Sequence, residues 1–326
     1  MRVLVTGGAG YVGSVSVEAL LAAGHEVVVL DDLSTGHRGA LPSAVAAVEG
    51  SVTGAVLLRE ILERQRSEAV LHCAARSLVG ESLADPAGYY RDNVGGGLTL
   101  LEAMRATGVR RLVFSSSAAV YGEPASAPVT EDAPLQPISP YGETKRAFEA
   151  MLEWYGRAYG LRSISLRYFN AAGASASNGE DHDPETHLVP NVVAAALGMR
   201  ELVLFGDDYP TPDGTPIRDY IHVADLADAH LLALEATASG TGAEAYNLGS
   251  GRGFSVREVL TVAEAIAGRP IAHRIGPRRP GDPPVLVASA ERAASVLGWR
   301  ARRGSLEEIV GSAWAWAQRH PAGYED

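Results

Sequence analysis

The chain has 326 residues, a formal net charge of −11 and hydrophobic residues at 46% against 21% charged ones. Such a balance belongs to a globular protein of one large or two modest domains, and the acidity excludes a general nucleic-acid binder while leaving room for an anion held by a few arginines and helix N-termini. Cys73 is the single cysteine, which rules out an intramolecular disulfide and a thiolate metal cage and fits a reducing compartment. The N-terminus enters an apolar strand at Val3 without a signal-peptide pattern, and no apolar run approaches membrane-spanning length. A cytoplasmic protein with no membrane partner is expected.

Short apolar runs alternate with helical patterns through the first half, the signature of a parallel sheet covered by helices. Strands are predicted over Val3–Thr6, Glu26–Leu30, Ala69–Cys73, Leu112–Ser115 and Ile164–Arg167, and their β-branched and leucine content suits burial on both faces. Between the first strand and a helix that stops near Gly24 lies Gly7-Gly8-Ala9-Gly10-Tyr11-Val12-Gly13. Gly7, Gly10 and Gly13 give the spacing G-x-x-G-x-x-G. Missing side chains there let the backbone turn sharply and approach a pyrophosphate, to which the following helix offers oriented N–H groups. Asp31 ends the second strand, about 20 residues on. A carboxylate there accepts hydrogen bonds from ribose hydroxyls and repels a 2′-phosphate, which favours NAD. Asp32 reads as the cap of the turn that follows.

Ser115-Ser116-Ser117 ends a strand, and Ser139-Pro140 marks the start of a helix carrying Tyr141-Gly142-Glu143-Thr144-Lys145. Tyr141 and Lys145 share a helix face. A phenol of ordinary pKa about 10 is a poor base; a neighbouring ammonium and the positive nicotinamide ring are expected to lower it, with Ser117 passing the proton. After Asn170 the rhythm breaks into a polar stretch, Ala174 to Thr186, too long for a tight connection. A domain change is therefore placed at residue 170, giving 1–170 and 171–326, with some later segments free to pack back on the first unit. Beyond it lie Gly/Pro-rich joints, Tyr209 to Thr215 and Gly276 to Pro284, and a helical apolar stripe of Leu306, Ile309, Val310, Ala313, Trp314 and Ala317. His182, His187, His222 and His230 show neither paired helical spacing with a Glu nor a cysteine partner, so no metal is expected.

The glycine turn, Ser115–Ser117 with Tyr121-Gly122, and Tyr141-x-x-x-Lys145 resemble the extended short-chain dehydrogenase/reductases. Leu166-Arg-Tyr-Phe-Asn170, Asp213-Gly-Thr-Pro-Ile-Arg-Asp-Tyr-Ile-His-Val223, Tyr246-Asn-Leu-Gly249 and Arg278-Arg-Pro-Gly-Asp282 extend the resemblance over nearly the whole chain to the UDP-sugar 4-epimerase branch. It implies an α/β fold, a Rossmann-type doubly wound parallel sheet with a smaller C-terminal α/β substrate domain. It also implies NAD held tightly, C4 epimerisation of UDP-glucose and UDP-galactose through a 4-keto sugar, and catalysis by Ser117, Tyr141 and Lys145. For the cofactor it assigns Gly7, Gly10, Tyr11, Val12, Gly13, Asp31, Ser51, Val52, Ala74, Asn93, Tyr141, Lys145 and Tyr168. For the UDP-sugar it assigns Ser117, Tyr141, Asn170, His187, Leu188, Arg218, Tyr220, Arg279 and Asp282. Leu286, four residues past that Asp, stands at the family's size gate beside the hexose. A homodimer built on two helices per subunit is implied as well, near Asp85–Ala106 and Tyr141–Tyr159, with Leu98, Leu101, Met104, Phe148, Met151 and Leu152 as candidate contacts.

Departures from the family pattern are Ser51, where an Asp usually meets the adenine, and Val15 and Asp32. A 4,6-dehydratase would carry Thr-Asp-Glu where this chain has Ser117-Ala118-Ala119, and two alanines supply neither acid nor base. An idle NAD-binding sensor is opposed by the intact Ser117, Tyr141 and Lys145. Epimerisation of UDP-N-acetylhexosamines, UDP-pentoses or UDP-uronic acids stays open.

Overall fold

The computed structural model describes residues 1–240, 242–279 and 282–325, so that Pro280 and Gly281 of the Arg-Arg-Pro-Gly-Asp run lie outside the described residues. The predicted strands form, four of them slightly longer and the third of them one residue shorter: β1 (Arg2–Thr6), β2 (Glu26–Asp31), β4 (Ala69–His72), β5 (Arg111–Ser117) and β6 (Arg162–Tyr168), with a further strand β3 (Ala46–Glu49). Together with β10 (Ala243–Leu248) they make one sheet in the order β3-β2-β1-β4-β5-β6-β10, parallel throughout.

Successive side chains of a strand point to opposite faces, and this sheet buries both. Val3, Val5, Val29, Leu71, Val113 and Ile164 pack against α1 (Tyr11–Ala22) and α8 (Val223–Ala236). Leu4, Leu30, Val70, Leu112 and Phe114 pack against α2 (Ala55–Arg64), α5 (Gly96–Thr107) and α6 (Pro140–Tyr159). The result is the doubly wound α/β layer expected from the sequence.

Beyond residue 170 the chain divides its work. α8 and β10 complete the first layer, and Trp299, only 2% exposed, joins that core while donating Nε1–H to Asp225 O at 2.9 Å. A second core gathers Val189, Val192, Tyr220, Val259, Leu260, Leu306 and Ile309 from α7 (Leu188–Ala196), α9 (Val256–Ala267) and α11 (Leu306–Arg319). The stripe on α11 packs there, as its spacing predicts. β9 (Ile217–His222) is the spine of this part: β11 (Gly253–Ser255) runs antiparallel to it, and β7 (Asn170–Ala172) and β13 (Val285–Leu286) run parallel. β8 (Leu202–Phe205) pairs with β12 (His273–Gly276) beside it. Among the described residues no helix is long and apolar enough to cross a membrane.

Candidate functional site

The strand order reverses between β1 and β4, and the carboxyl ends of parallel strands at such a point form a crevice. In strand order, Gly7 follows β1, Ala74 follows β4, Ser117 ends β5 and Tyr168 ends β6. The turn from β1 into α1 is closed by contacts that only glycine permits. Gly7 has φ +71°, and a Cβ on it would overlap Ala74 N; a Cβ on Gly13 would overlap Gly7 O. Gly10 differs: its φ is −77°, and the nearest atom to a Cβ there is Gly7 O at 3.5 Å, an ordinary contact. Internal packing therefore explains Gly7 and Gly13 but does not account for Gly10. Gly10 is the N-cap of α1, no side chain caps that end, and its first turn holds no acidic residue. These features suit a dinucleotide pyrophosphate.

Side chains around the turn face inward. Tyr11 donates to Gly173 O at 2.6 Å and Val12 packs into the core, which leaves their backbone N–H groups as the parts that can face a ligand. Asp31 accepts from Ala9 N and Leu33 N, each at 2.9 Å. Burial raises its carboxyl above the usual range, against the pull of those bonds. It braces the turn from the position expected for ribose recognition, while Asp32 caps Ser34 as predicted, at 3.1 Å to its N–H. Ser51 caps Thr53 N at 3.2 Å and Val52 packs under α5. Asn93 is used internally: its Oδ1 accepts from Arg76 N at 2.9 Å, and its Nδ2 donates to Arg76 O and Thr144 Oγ1, both at 3.0 Å. The geometry makes it a brace between the segment after β4 and α6.

α6 begins where Ser139 accepts from Gly142 N at 3.2 Å with Pro140 in the first turn. Its residues at i, i+4 and i+8 form one face, and that face meets the serine strand residue by residue. Tyr141 faces the Ser117 hydroxyl, Lys145 Nζ donates to Ser115 O at 2.7 Å, and Glu149 accepts from Ser116 Oγ at 2.5 Å. Burial raises the Tyr141 phenol, and the Ser117 hydroxyl alone opposes it. Burial lowers the Lys145 ammonium to about 8, against Cys73 and Glu149. The expectation that Lys145 lowers the phenol is thus not met by the protein's own groups. The ammonium sits over the Phe114 ring at 4.7 Å and 5.7 Å from the Tyr141 centroid, committed to a backbone carbonyl.

Beneath these residues lies a buried network that sequence reasoning missed. Arg167 pairs with Glu149 at 2.6 Å and donates to Tyr121 Oη at 2.9 Å; that hydroxyl donates to Asn247 Oδ1 at 2.7 Å. His230 lies within hydrogen-bond distance of Ser115 Oγ at 3.0 Å and Ser16 Oγ at 3.2 Å, tying β5 to α8 and α1. Extending the Tyr-x-x-x-Lys spacing by one more turn would have pointed to Glu149; nothing local marks His230.

The expected UDP-sugar residues gather on β9. Arg218, Tyr220 and His222 alternate with Asp219 and Ile221; Asn170 stands opposite Tyr220, and Leu286 opposite Arg218. Arg218 is buried and ion-paired with Asp282. Asn170 donates to Asp219 O at 2.9 Å, and the Asp219 carboxylate accepts from Ser250 N, Gly251 N and Ala288 N. Leu286 packs on Ala118, Tyr121 and Phe169, so the substrate strand abuts the turn after Ser117. Arg279 is exposed, with its guanidinium 4.3 Å from the Phe205 ring centroid, and its carbonyl accepts from Asp282 N at 3.3 Å. His187 and Leu188 stand at the start of α7, and the His187 ring is held by Glu180 and Glu185 at 2.7 and 3.0 Å. Among the histidines, His222 caps α8 through Ala224 N at 3.1 Å, whereas His182 and His187 converge with the two glutamates, a grouping that sequence spacing did not reveal.

Residues 3–249 match the model of the NAD dependent epimerase/dehydratase family. The chain is 51% identical to the UDP-glucose 4-epimerase of Halalkalibacterium halodurans, over 99% of this chain and 98% of that protein. The crystal structure of UDP-glucose 4-epimerase from Brucella ovis in complex with NAD superposes with a TM-score of 0.93 at 47% identity, covering 96% and 97% of the two chains. That from Bifidobacterium longum in complex with NAD+ and UDP gives 0.94 at 36% identity, covering 99% and 100%.

The buried imidazoles set an acid limit. Burial lowers His230 to about 4 and His72 to about 3, so below about pH 6.5 the unfolded chain binds protons that the folded chain refuses. Stability is complete above that pH and falls towards about pH 4. The denaturant midpoint should drop between about pH 7 and pH 5, and by less in His230→Gln; equal drops would show that His230 is not held neutral.

Proposed function

The chain belongs to the NAD dependent epimerase/dehydratase family, and on that premise we propose that it interconverts UDP-glucose and UDP-galactose by inverting C4 through a 4-keto sugar. The observation that carries this reading is the convergence of Ser117, Tyr141 and Lys145 at the strand ends beside the glycine turn. The glycine turn and Asp31 would hold NAD, which would supply a reversible hydride acceptor with a positively charged ring. Tyr141 removes the C4 hydroxyl proton and returns it after the sugar has turned over; Ser117, beside the phenol, shares that proton. Lys145 holds the nicotinamide ribose side of the crevice. Burial raises the phenol, and a positively charged ring beside it would favour its ionised form. Arg218 and Arg279 hold the UDP phosphates, for which a guanidinium fork is suited, with Asn170, Tyr220, His187 and Leu188 around the nucleotide and Asp282 orienting Arg218. The single thiol fits a cytoplasmic setting.

Purified protein should convert UDP-galactose without added nicotinamide and without net NAD consumption. Tyr141→Phe should lose at least about 100-fold in kcat while binding UDP-sugar; an active Tyr141→Phe, or stoichiometric NAD reduction, overturns the mechanism.

Leu286 sets how large a sugar turns over. Leucine is smaller than tyrosine and larger than serine, and such a packing contact discriminates by about 1–3 kcal/mol. UDP-glucose and UDP-galactose are therefore the preferred pair, with weaker turnover of the N-acetyl pair. Leu286→Tyr should remove the second activity and spare the first; an unchanged ratio of the two refutes the gate.

Homodimerisation through α5 and α6 completes the proposal, on a corrected surface. Leu101, Met104, Phe148 and Leu152 are each at most 1% exposed and belong to the intrachain core, because α5 and α6 turn those positions onto the sheet. Leu98, Trp154 and Tyr159 remain outside at 46%, 63% and 49% exposure, an apolar face suited to a second copy. Light scattering at micromolar concentration should give twice the chain mass, and a monomer there rejects the dimer.

A further inference from the structure

We propose that Glu180, His182, Glu185 and His187 form a site for a divalent cation of the zinc type, which fastens the segment entering α7. Four potential ligands fall within eight residues of the polar stretch, and one donor atom from each lies within 4.8 Å of all the others. The Glu180 carboxylate is 3.2 Å from His182 Nδ1 and 2.7 Å from His187 Nδ1; the Glu185 carboxylate is 3.9 and 3.0 Å from the same two nitrogens. Ligands on one tetrahedral ion with bonds of about 2.0–2.2 Å stand roughly 3.3–3.6 Å apart, so small side-chain rotations open the space for the ion.

A second observation is independent of spacing. The side chains of Glu180 and Glu185 are only 6% and 5% exposed, and among the described residues no Lys or Arg forms an ion pair with either. Buried carboxylates require compensation, and their partners here are the two imidazoles, which offset a charge only when protonated. A dication with two neutral imidazoles and two carboxylates gives a set of zero net charge. Two nitrogens with two carboxylate oxygens and no thiolate favour zinc, with manganese and iron(II) as weaker competitors.

The surroundings suit a structural role. The His182 ring meets the Tyr11 ring edge-on at 6.4 Å, and Tyr11 belongs to the glycine turn. Asp181, between two ligands, accepts from His37 Nε2 through its carbonyl at 2.8 Å and from Tyr324 N through its side chain at 2.9 Å. The ion would tie the turn that reads the dinucleotide to the start of α7. The ion would take the Nδ1 side of His187, leaving its Nε2 and Leu188 for the nucleotide, so this inference stands whether or not the epimerase reading holds.

The test uses the full-length protein after chelator treatment, dialysed against micromolar zinc chloride, with bound metal measured by elemental analysis. One zinc per chain is expected, and cobalt(II) chloride should give the strong visible absorption of a four-coordinate ion. His182→Ala and Glu185→Gln, each checked by circular dichroism, should bind zinc at least about tenfold more weakly. Wild-type protein that takes up no zinc, or folded variants that bind as wild type does, overturns the proposal. The wild-type stoichiometry and the cobalt spectrum decide the matter even if a variant fails to fold.

Discussion

The structure hangs on one close backbone contact, the closure of Gly13 onto Gly7 O at the turn from β1 into α1. No side chain fits between these two peptides, so the helix leaves the strand at one angle, with its uncapped N-terminus at the carboxyl edge of the sheet. Gly7 is pressed at the same time against Ala74, and the first two strands of the crevice are thereby fixed to each other. A methyl group at either position would have to displace main chain, which has no rotamer to yield with. The open space at Gly10 follows from the same closure. Because backbone shapes it, that position is stiff, which suits a pyrophosphate.

From that edge the chemistry is positioned by a second rigid unit, the face of α6 that carries Tyr141, Lys145 and Glu149. Glu149 anchors it: its ion pair with Arg167 is about nine-tenths buried and is elaborated by Ser116, Tyr121 and Asn247. Breaking one partner of such a pair costs about 3–5 kcal/mol, because the other charge stays buried. The network fixes the axial register of α6 against β5, and it sets Tyr141 over Ser117. Lys145 is then left without a carboxylate of its own, donating to a carbonyl in a dry environment. Burial works against ionisation of both Tyr141 and Lys145, and paired perturbation of this kind is a mark of functional sites.

The substrate side is organised by β9 in the same economical manner. Asp219, buried and raised by burial against four hydrogen bonds, gathers the loops after β10 and β13. Its neighbours Arg218 and Tyr220 point the other way, by the alternation of a strand. One carboxylate thus ties the strand carrying Leu286 to β9 and to the loop after β10.

Sequence alone determined the features whose cause is local. The parallel strands were visible as apolar runs, the glycine turn by its spacing between strand and helix, and the start of α6 by Ser139-Pro140; Tyr141 and Lys145 needed only helical periodicity to be put on one face. Tertiary structure decided what depends on contacts between distant segments. It returned Leu101, Met104, Phe148 and Leu152 to the core because sheet and helix compete for the same apolar face, and it turned Asn93 inward onto Arg76 and Thr144. It also placed His230 behind Ser115, 115 residues away in sequence, and folded Glu180, His182, Glu185 and His187 into one cluster. No periodicity marks those groupings, since an irregular loop or a long crossover brings residues together by closure of the chain rather than by a repeating angle.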